Sequence, residues 1–215
     1  MRQDLYPELF EVEDSHWWHQ HKRQIVHKLI KVFADKKGRV LDIGAGTGRI
    51  LSELKQMGWQ VKGIDTEKQA AKQSQKREIE LKLIDIDKQI LPFKANSFEV
   101  VLCLDSLEHL TNEVKVLKEI IRVTKPGGII ILTVPAYQWL YSYWDKMLGH
   151  KKRYSKNKAH LGEIVKLRVS GDKLTIASAH MLAKHDKCAR IHGHNYFIEV
   201  EIEGELNEEN MIIKC

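Results

Sequence analysis

Apolar residues recur at helical spacing at Ile25, Val26, Leu29, Ile30 and Phe33, which predicts an amphipathic helix near the start of the chain. Beyond it two periods alternate. Arg39 to Ile43 reads as a short apolar strand, Ile50 to Met57 as a helix closed by Gly58, and Gln60 to Ile64 as a second strand with Asp65 at its end. Glu67 to Gln75 is a polar helix, and Leu81 to Ile84 a third strand. Phe98 to Leu104 is apolar throughout, as expected of a strand covered on both faces. Glu113 to Val123 carries Val114, Leu117, Ile120 and Ile121 at helical spacing. Pro126-Gly127-Gly128 reads as a turn and Ile129 to Val134 as a fifth strand. This alternation predicts an α/β fold, a parallel sheet with helices on both faces.

The pattern changes after about residue 158. Ile164 to Val169 and Leu174 to Ala177 flank Ser170-Gly171-Asp172-Lys173, a hairpin signal. From Asn195 to Glu203, apolar Tyr196, Ile198, Val200 and Ile202 alternate with polar Glu199, Glu201 and Glu203, the mark of an antiparallel strand with one solvated face. The expected organisation is a first domain over 1–156, a linker over 157–162 and a second segment over 163–215.

Charge narrows the choice of partners only slightly. The chain has 35 Lys and Arg against 29 Asp and Glu, a formal net charge of +6. That is a mixed surface and argues against a nucleic-acid footprint. The densest basic run, His150-Lys151-Lys152-Arg153-Tyr154-Ser155-Lys156-Asn157-Lys158, reads as a solvated connector rather than a phosphate-binding patch. Three cysteines, Cys103, Cys188 and Cys215, form no framework and suit a reducing compartment. The first six residues lack a signal-peptide core, and no apolar run approaches the about 20 residues of a spanning helix. A soluble, cytoplasmic protein is expected, with no membrane partner.

The segment Val40-Leu41-Asp42-Ile43-Gly44-Ala45-Gly46-Thr47-Gly48 is the first candidate for chemistry. Glycines after a strand let the backbone approach a ligand, and in an open parallel sheet ligands bind at the carboxyl ends of the strands. The third glycine falls at 48 and position 49 is Arg, so the spacing departs from the dinucleotide fingerprint. Asp42 suits a cationic amino group better than a phosphate. Asp65, ending the second strand, is placed to accept hydrogen bonds from ribose hydroxyls. A lone glycine loop is also what an ordinary strand-to-helix turn looks like.

The succession is more specific. After Asp42, the glycines and Asp65 come Asp85, Leu91-Pro92-Phe93, Asn96-Ser97-Phe98-Glu99-Val100-Val101, Glu108-His109-Leu110 and Lys125-Pro126-Gly127-Gly128. Together these resemble the class I S-adenosylmethionine-dependent methyltransferases, in the small-molecule branch related to the ubiquinone and menaquinone enzymes. Ser15-His16-Trp17-Trp18 with Arg23, and Pro135 to Leu140 through Asp145 to Tyr154, extend the resemblance over roughly 8–156. It implies a Rossmann-like sheet, S-adenosyl-L-methionine as cofactor and a small-molecule methyl acceptor. Asp42, Gly44, Ala45, Gly46 and Gly48 would line the methionine and adenosine. Asp65 would bind the ribose, and Asp85 and Ile86 would flank the adenine, with Asp87 as the alternative register. Leu104 would edge the transfer site. His109 and His19 are candidate bases, or else an ordinary helix-start and an exposed helix histidine. Trp17 and Trp18 would lid the pocket or pack in the core. Gln20 and Lys22 suggest a solvated helix, and His16, His19 and His21 do not form a metal set. The family closes its sheet with an antiparallel pair. Here the resemblance stops near Tyr154, so an incomplete sheet is expected. The strands at 164–177 and 195–203 are one way to supply the missing pair beside the fifth strand, since an open edge there is an aggregation liability.

The second candidate lies in the last third of the chain. His192 and His194 are two apart, which on an extended segment puts both on one face, and His180 is available as a third imidazole. Lys187 and Arg190 beside Cys188 favour its thiolate. Ala179-His180-Met181-Leu182, His185 to Arg190, His192-Gly193-His194-Asn195-Tyr196, Glu199 to Gly204 and Met211-Ile212-Ile213 resemble the opening half of the 6-pyruvoyl/6-carboxy-tetrahydropterin synthases. The resemblance implies Zn2+ on His180, His192 and His194, Cys188 as a proton-transferring thiol, and subunit contacts through this segment. The later Asp, His and Glu of that family are absent.

Four functions follow: a small-molecule methyltransferase, a zinc-dependent synthase of a pterin or deazapurine pathway, a non-catalytic binding protein, and a chimeric or truncated product.

Overall fold

The computed structural model describes residues 10–34 and 36–154, together with the backbone of 175–180 and 192–197. Helix α1 spans Trp17–Phe33, and the sheet begins with β1 at Arg39–Ile43. Then come α2 (Arg49–Gln56), β2 (Gln60–Asp65), α3 (Lys68–Gln75) and β3 (Leu81–Leu83). β4 (Phe98–Leu104), a 3-10 turn at Leu107–His109, α4 (Glu113–Val123), β5 (Thr124–Thr133) and α5 (Tyr143–Leu148) complete the first 154 residues. The five strands form one parallel sheet in the order β3-β2-β1-β4-β5. The order reverses between β1 and β4, which opens a crevice at their carboxyl ends.

The apolar pattern explains the layers. Val40, Val100 and Leu102 belong to a cluster on one face with Val26, Ile30, Leu51 and Leu54 of the helices. Leu41, Ile43, Val101 and Cys103 belong to the cluster on the other, with Val116, Ile120 and Val123 of α4. Successive strand residues thus feed opposite faces, which is why β1 and β4 read as unbroken apolar runs. Cys103 is buried and free, and burial raises its thiol pKa.

Three sequence expectations change. The fifth strand starts at Thr124, ahead of the expected Ile129: Thr124 pairs with Phe98, the register then jumps to Val100 with Ile129, and Gly127 adopts φ 72° within the irregularity. Pro126-Gly127-Gly128 is therefore a bulge inside the strand. The stretch 150–154 is not a solvated connector. Arg153 is buried against Asp145, and Lys152 pairs with Glu113. Finally, β6 (Thr175–His180) and β7 (His192–Phe197) pair antiparallel with each other as a separate two-stranded sheet. Among the described residues β5 pairs only with β4, and β6 and β7 pair only with each other, so their described parts do not extend the five-stranded sheet. The hairpin turn at 170–173, the strand at 164–169 and the linker at 157–162 lie outside the described residues.

Candidate active site

The glycine turn is built by three positive-φ residues. Gly44, Gly46 and Gly48 have φ 76°, 54° and 71°. A Cβ on Gly44 would lie 2.2 Å from Oγ of Ser106, whereas one on Gly46 would meet nothing within 4 Å. The turn is therefore packed below and open above. Gly48 caps α2 in the left-handed conformation that only glycine adopts cheaply. The turn is tied to β2, since Gly44 and Ala45 N–H donate to the Ile64 carbonyl and Gly46 N–H donates to Asp65 Oδ2 at 2.8 Å.

A cavity of about 710 Å³ opens above this turn, at the carboxyl ends of the strands. Asp42, Gly44, Ala45, Gly46, Asp65, Asp85, Ile86 and Leu104 all line it, and so does His109. Gly48 does not; it sits beneath the turn. Asp42 is buried, its Oδ1 has no hydrogen-bond partner, and burial raises its pKa to about 7 despite the nearby Lys22 ammonium. Asp65 is also buried, and burial raises its pKa even though the N–H groups of Glu67 and Gly46 donate to it. Asp87 lines the wall too, but its carboxylate accepts from the N–H groups of Thr111 and Asn112 and so fixes the start of α4.

On the other side of the cavity the sequence offered His19 and Trp18 as candidates but not Lys22. Lys22 is no solvated helix residue. Its ammonium donates to Asp105 Oδ2 at 2.7 Å, and the Thr133 hydroxyl donates to Asp105 Oδ1 at 2.7 Å. Burial lowers the Lys22 pKa, but Asp105 outweighs it and the net shift is upward. His19 faces the cavity as well. Burial, then Lys22, lowers its pKa to about 4, so it is neutral and weakly basic near pH 7. Of the two tryptophans, Trp18 lines the cavity, whereas Trp17 does not and keeps its buried indole N–H without a partner.

In the 3-10 turn after β4 begins a polar group of which the sequence marked only His109 as a candidate. Glu108 is 1% exposed, its Oε2 has no partner, and burial with the neighbouring Asp105 charge raises its pKa to about 8. His109 Nδ1 meets the Gly149 carbonyl at 3.0 Å, and its ring lies edge-on to His150 with centroids 4.9 Å apart. His150 Nδ1 meets Asp145 Oδ1 at 2.9 Å. Asp145 also receives Nε and Nη2 of Arg153 at 2.7 and 2.9 Å and caps α5 through Ser142. Burial would raise the Asp145 pKa, but Arg153 and His150 hold it well below the usual carboxylate range.

The remaining predicted residues are less fully described. β6 and β7 set His180 opposite His192 in register, with His194 two residues further along β7. Cys188 lies outside the described residues.

Against known proteins, the methyltransferase domain family matches residues 41–132. This stretch runs from β1 to the end of β5 and includes the glycine turn. The 6-pyruvoyl tetrahydropterin synthase family matches residues 172–215. The chain is 38% identical over 121 residues to an uncharacterized protein of Methanocaldococcus jannaschii, covering 56% of this chain and 54% of that one. It is 35% identical over 94 residues to the demethylmenaquinone methyltransferase of Renibacterium salmoninarum, covering 44% and 40%. The chain spans about half the length of the curated relatives it matches. A solved Bacillus halodurans protein, named as a methyltransferase candidate, superposes with TM-score 0.58 at 21% identity, covering 73% of this chain and 74% of that one. At that identity the likeness concerns the fold alone, a Rossmann-like parallel sheet with helices. No helix among the described residues is long and apolar enough to cross a membrane.

Proposed function

We propose that this chain binds S-adenosylmethionine over the glycine turn and transfers its methyl group to a small-molecule acceptor. The observation that carries the reading is Asp42: a buried carboxylate with one oxygen unpartnered, beside a glycine turn that leaves open space at Gly46. An unpaired buried carboxylate is costly, and a cationic ligand would offset that cost. The residues fit such a cofactor. Asp42 would take its charged amino end, and the turn Gly44-Ala45-Gly46 would pass under it. Asp65 retains lone pairs for ribose hydroxyls beyond the bonds from Gly46 and Glu67. Asp85 and Ile86 would flank the adenine; Asp87 is already engaged with Thr111 and Asn112. Leu104 would border the methyl.

When bound, the cofactor supplies an electrophilic methyl on a sulfonium, and in-line transfer depends mainly on positioning and desolvation. This chain's residues supply the positioning. α1 covers the cavity with Trp18, His19 and Lys22, and the segment 133–150 forms the opposite wall. His109 would accept a proton from a hydroxyl acceptor; its pKa is lowered, mainly by burial, which favours the neutral ring. The names of the relatives motivate a small-molecule acceptor. Calorimetry with S-adenosylmethionine on folded protein tests the reading: one saturable site supports it, and no heat sinks it.

A second reading concerns the last segment. The cross-strand register of His180 and His192, with the family match over 172–215, favours a zinc site on His180, His192 and His194, with Cys188 as thiol. A zinc content that falls by one equivalent in a His192→Ala/His194→Ala variant would support it; an unchanged zinc content in that variant would count against it.

A further inference from the structure

We propose that Glu108, His109 and His150 form a binding site for a divalent transition-metal ion on the acceptor side of the cavity. The site is distinct from His180, His192 and His194. One ligand atom from each of Glu108, His109 and His150 lies within 4.8 Å of the others. Metal–ligand bonds of about 2.0–2.2 Å put two ligands of one ion at most about 4 Å apart, so closure needs a contraction of about 1 Å or less. Glu108 Oε1 and His150 Nε2 already stand 3.9 Å apart.

Orientation is the stronger argument. Each imidazole has its Nδ1 engaged by an acceptor, His109 by the Gly149 carbonyl and His150 by the Asp145 carboxylate. With Nδ1 donating, each Nε2 carries the lone pair. A carboxylate or carbonyl behind a histidine is the usual outer support of a metal ligand, fixing tautomer and ring angle. Asp145 is itself held by Arg153, so the support is rigid. Independently, Glu108 Oε2 is a buried oxygen with no partner on a side chain 1% exposed. A bound cation would satisfy it.

Two imidazoles and one carboxylate suit a first-row divalent ion such as Zn2+, Mn2+ or Co2+ better than Mg2+ or Ca2+, which prefer oxygen. All three residues line the cavity, so open positions would face a ligand there. Resting on the methyl-transfer reading, this deepens it: with His109 Nε2 held by the ion, the ion would replace the ring in activating the acceptor, whose bound hydroxyl would release its proton to solvent more readily and attack as an alkoxide or phenolate.

Co2+ titration of the full chain in a His192→Ala/His194→Ala background tests the site, read by visible d–d absorption. One equivalent should bind. Glu108→Gln should weaken binding at least tenfold, and His109→Ala should do so too. Asp145→Asn should weaken it about 10–100-fold through the tilt of His150. If Asp145→Asn fails to fold, His109→Ala decides, since that side chain is only half-buried. A folded His109→Ala protein that binds Co2+ as tightly as its background overturns the proposal, as does a background that binds none. S-adenosylmethionine titrated into the same proteins reports separately: cofactor heat absent with Co2+ retained fails the methyl-transfer reading and leaves the cation site standing.

Discussion

Lys22 reaches from the second turn of α1 to place its ammonium 2.7 Å from Asp105, the residue that follows β4, and so closes the cavity between two elements 83 residues apart. Asp105 has φ 49°, and its N–H donates to Thr133 of β5. The contact therefore joins the covering helix to the ends of β4 and β5. Lys22→Met keeps the stem and removes the charge. Both partners are partly exposed, 20% and 36%, so the stability loss should be about 1 kcal/mol or less. Urea unfolding should show a small fall in midpoint with an unchanged slope. The larger effect should fall on Asp42, whose ionisation Lys22 favours: the pH midpoint for S-adenosylmethionine binding should move upward.

Asp42 makes stability depend on pH in a defined direction. Its pKa is raised from 3.8 to about 7 in the folded protein, mainly by burial. Between those values the folded protein holds a proton that the unfolded chain has released. Stability therefore falls as pH rises from about 4 to 7 and stays lowered above that. Asp42→Asn abolishes this titration. Denaturant unfolding should find the variant more stable than the parent at pH 8, by about 1–4 kcal/mol, with the gap closing by pH 4. Cofactor binding should run the other way: the parent should bind more tightly at pH 8 than at pH 6, and the variant weakly at both. A variant no more stable than the parent at pH 8 would contradict the burial assigned to Asp42.

The floor of the cavity was legible in the sequence and its walls only in part. β4 and α4 fall within the residues their apolar periodicity marks, because a strand buried on both faces and a helix buried on one leave unambiguous patterns. Asp42 and the glycines could be placed because strand, turn and helix follow one another locally. Lys22, Glu108 and Asp145 could not. Their environments come from chain segments brought together at long range, such as His109 against Gly149, 40 residues on. A Lys between Gln and His residues, or an Arg in a basic run, reads as solvated until the fold shows which way it faces. Arg153 is the clearest case: identical composition would serve a connector, but Asp145 eight residues earlier takes it into the interior.

Arg153 should matter to folding out of proportion to its neighbours. Its guanidinium meets both oxygens of Asp145, a side chain with no exposed surface. Arg153→Met would leave that carboxylate to His150 and Ser142 alone. Breaking a buried pair by removing one partner costs about 3–5 kcal/mol. Lys152→Ala, which loses a half-exposed pair with Glu113, should cost less than about 1 kcal/mol. Urea midpoints of the two variants, measured together, check the contrast; similar losses would refute it.

Asp65 and Asp87 both line the cavity, yet they should respond differently to truncation. The Asp65 carboxylate is met by backbone N–H groups, of Gly46, Glu67 and Thr66, and it lines the cavity. A hydrogen bond from a ligand to a charged group contributes about 1.5–3 kcal/mol, so Asp65→Ala should weaken S-adenosylmethionine at least tenfold. Asp87 spends its oxygens on Thr111 and Asn112, and its backbone carbonyl accepts from Lys115. Asp87→Ala should therefore lower the unfolding midpoint by freeing the start of α4, while cofactor affinity stays within about threefold, a change of under 1 kcal/mol. Calorimetry on the two folded variants separates the assignments. Equal affinity in Asp65→Ala and the parent would remove Asp65 from the ribose, and a tenfold loss in Asp87→Ala would move the adenine edge to Asp87.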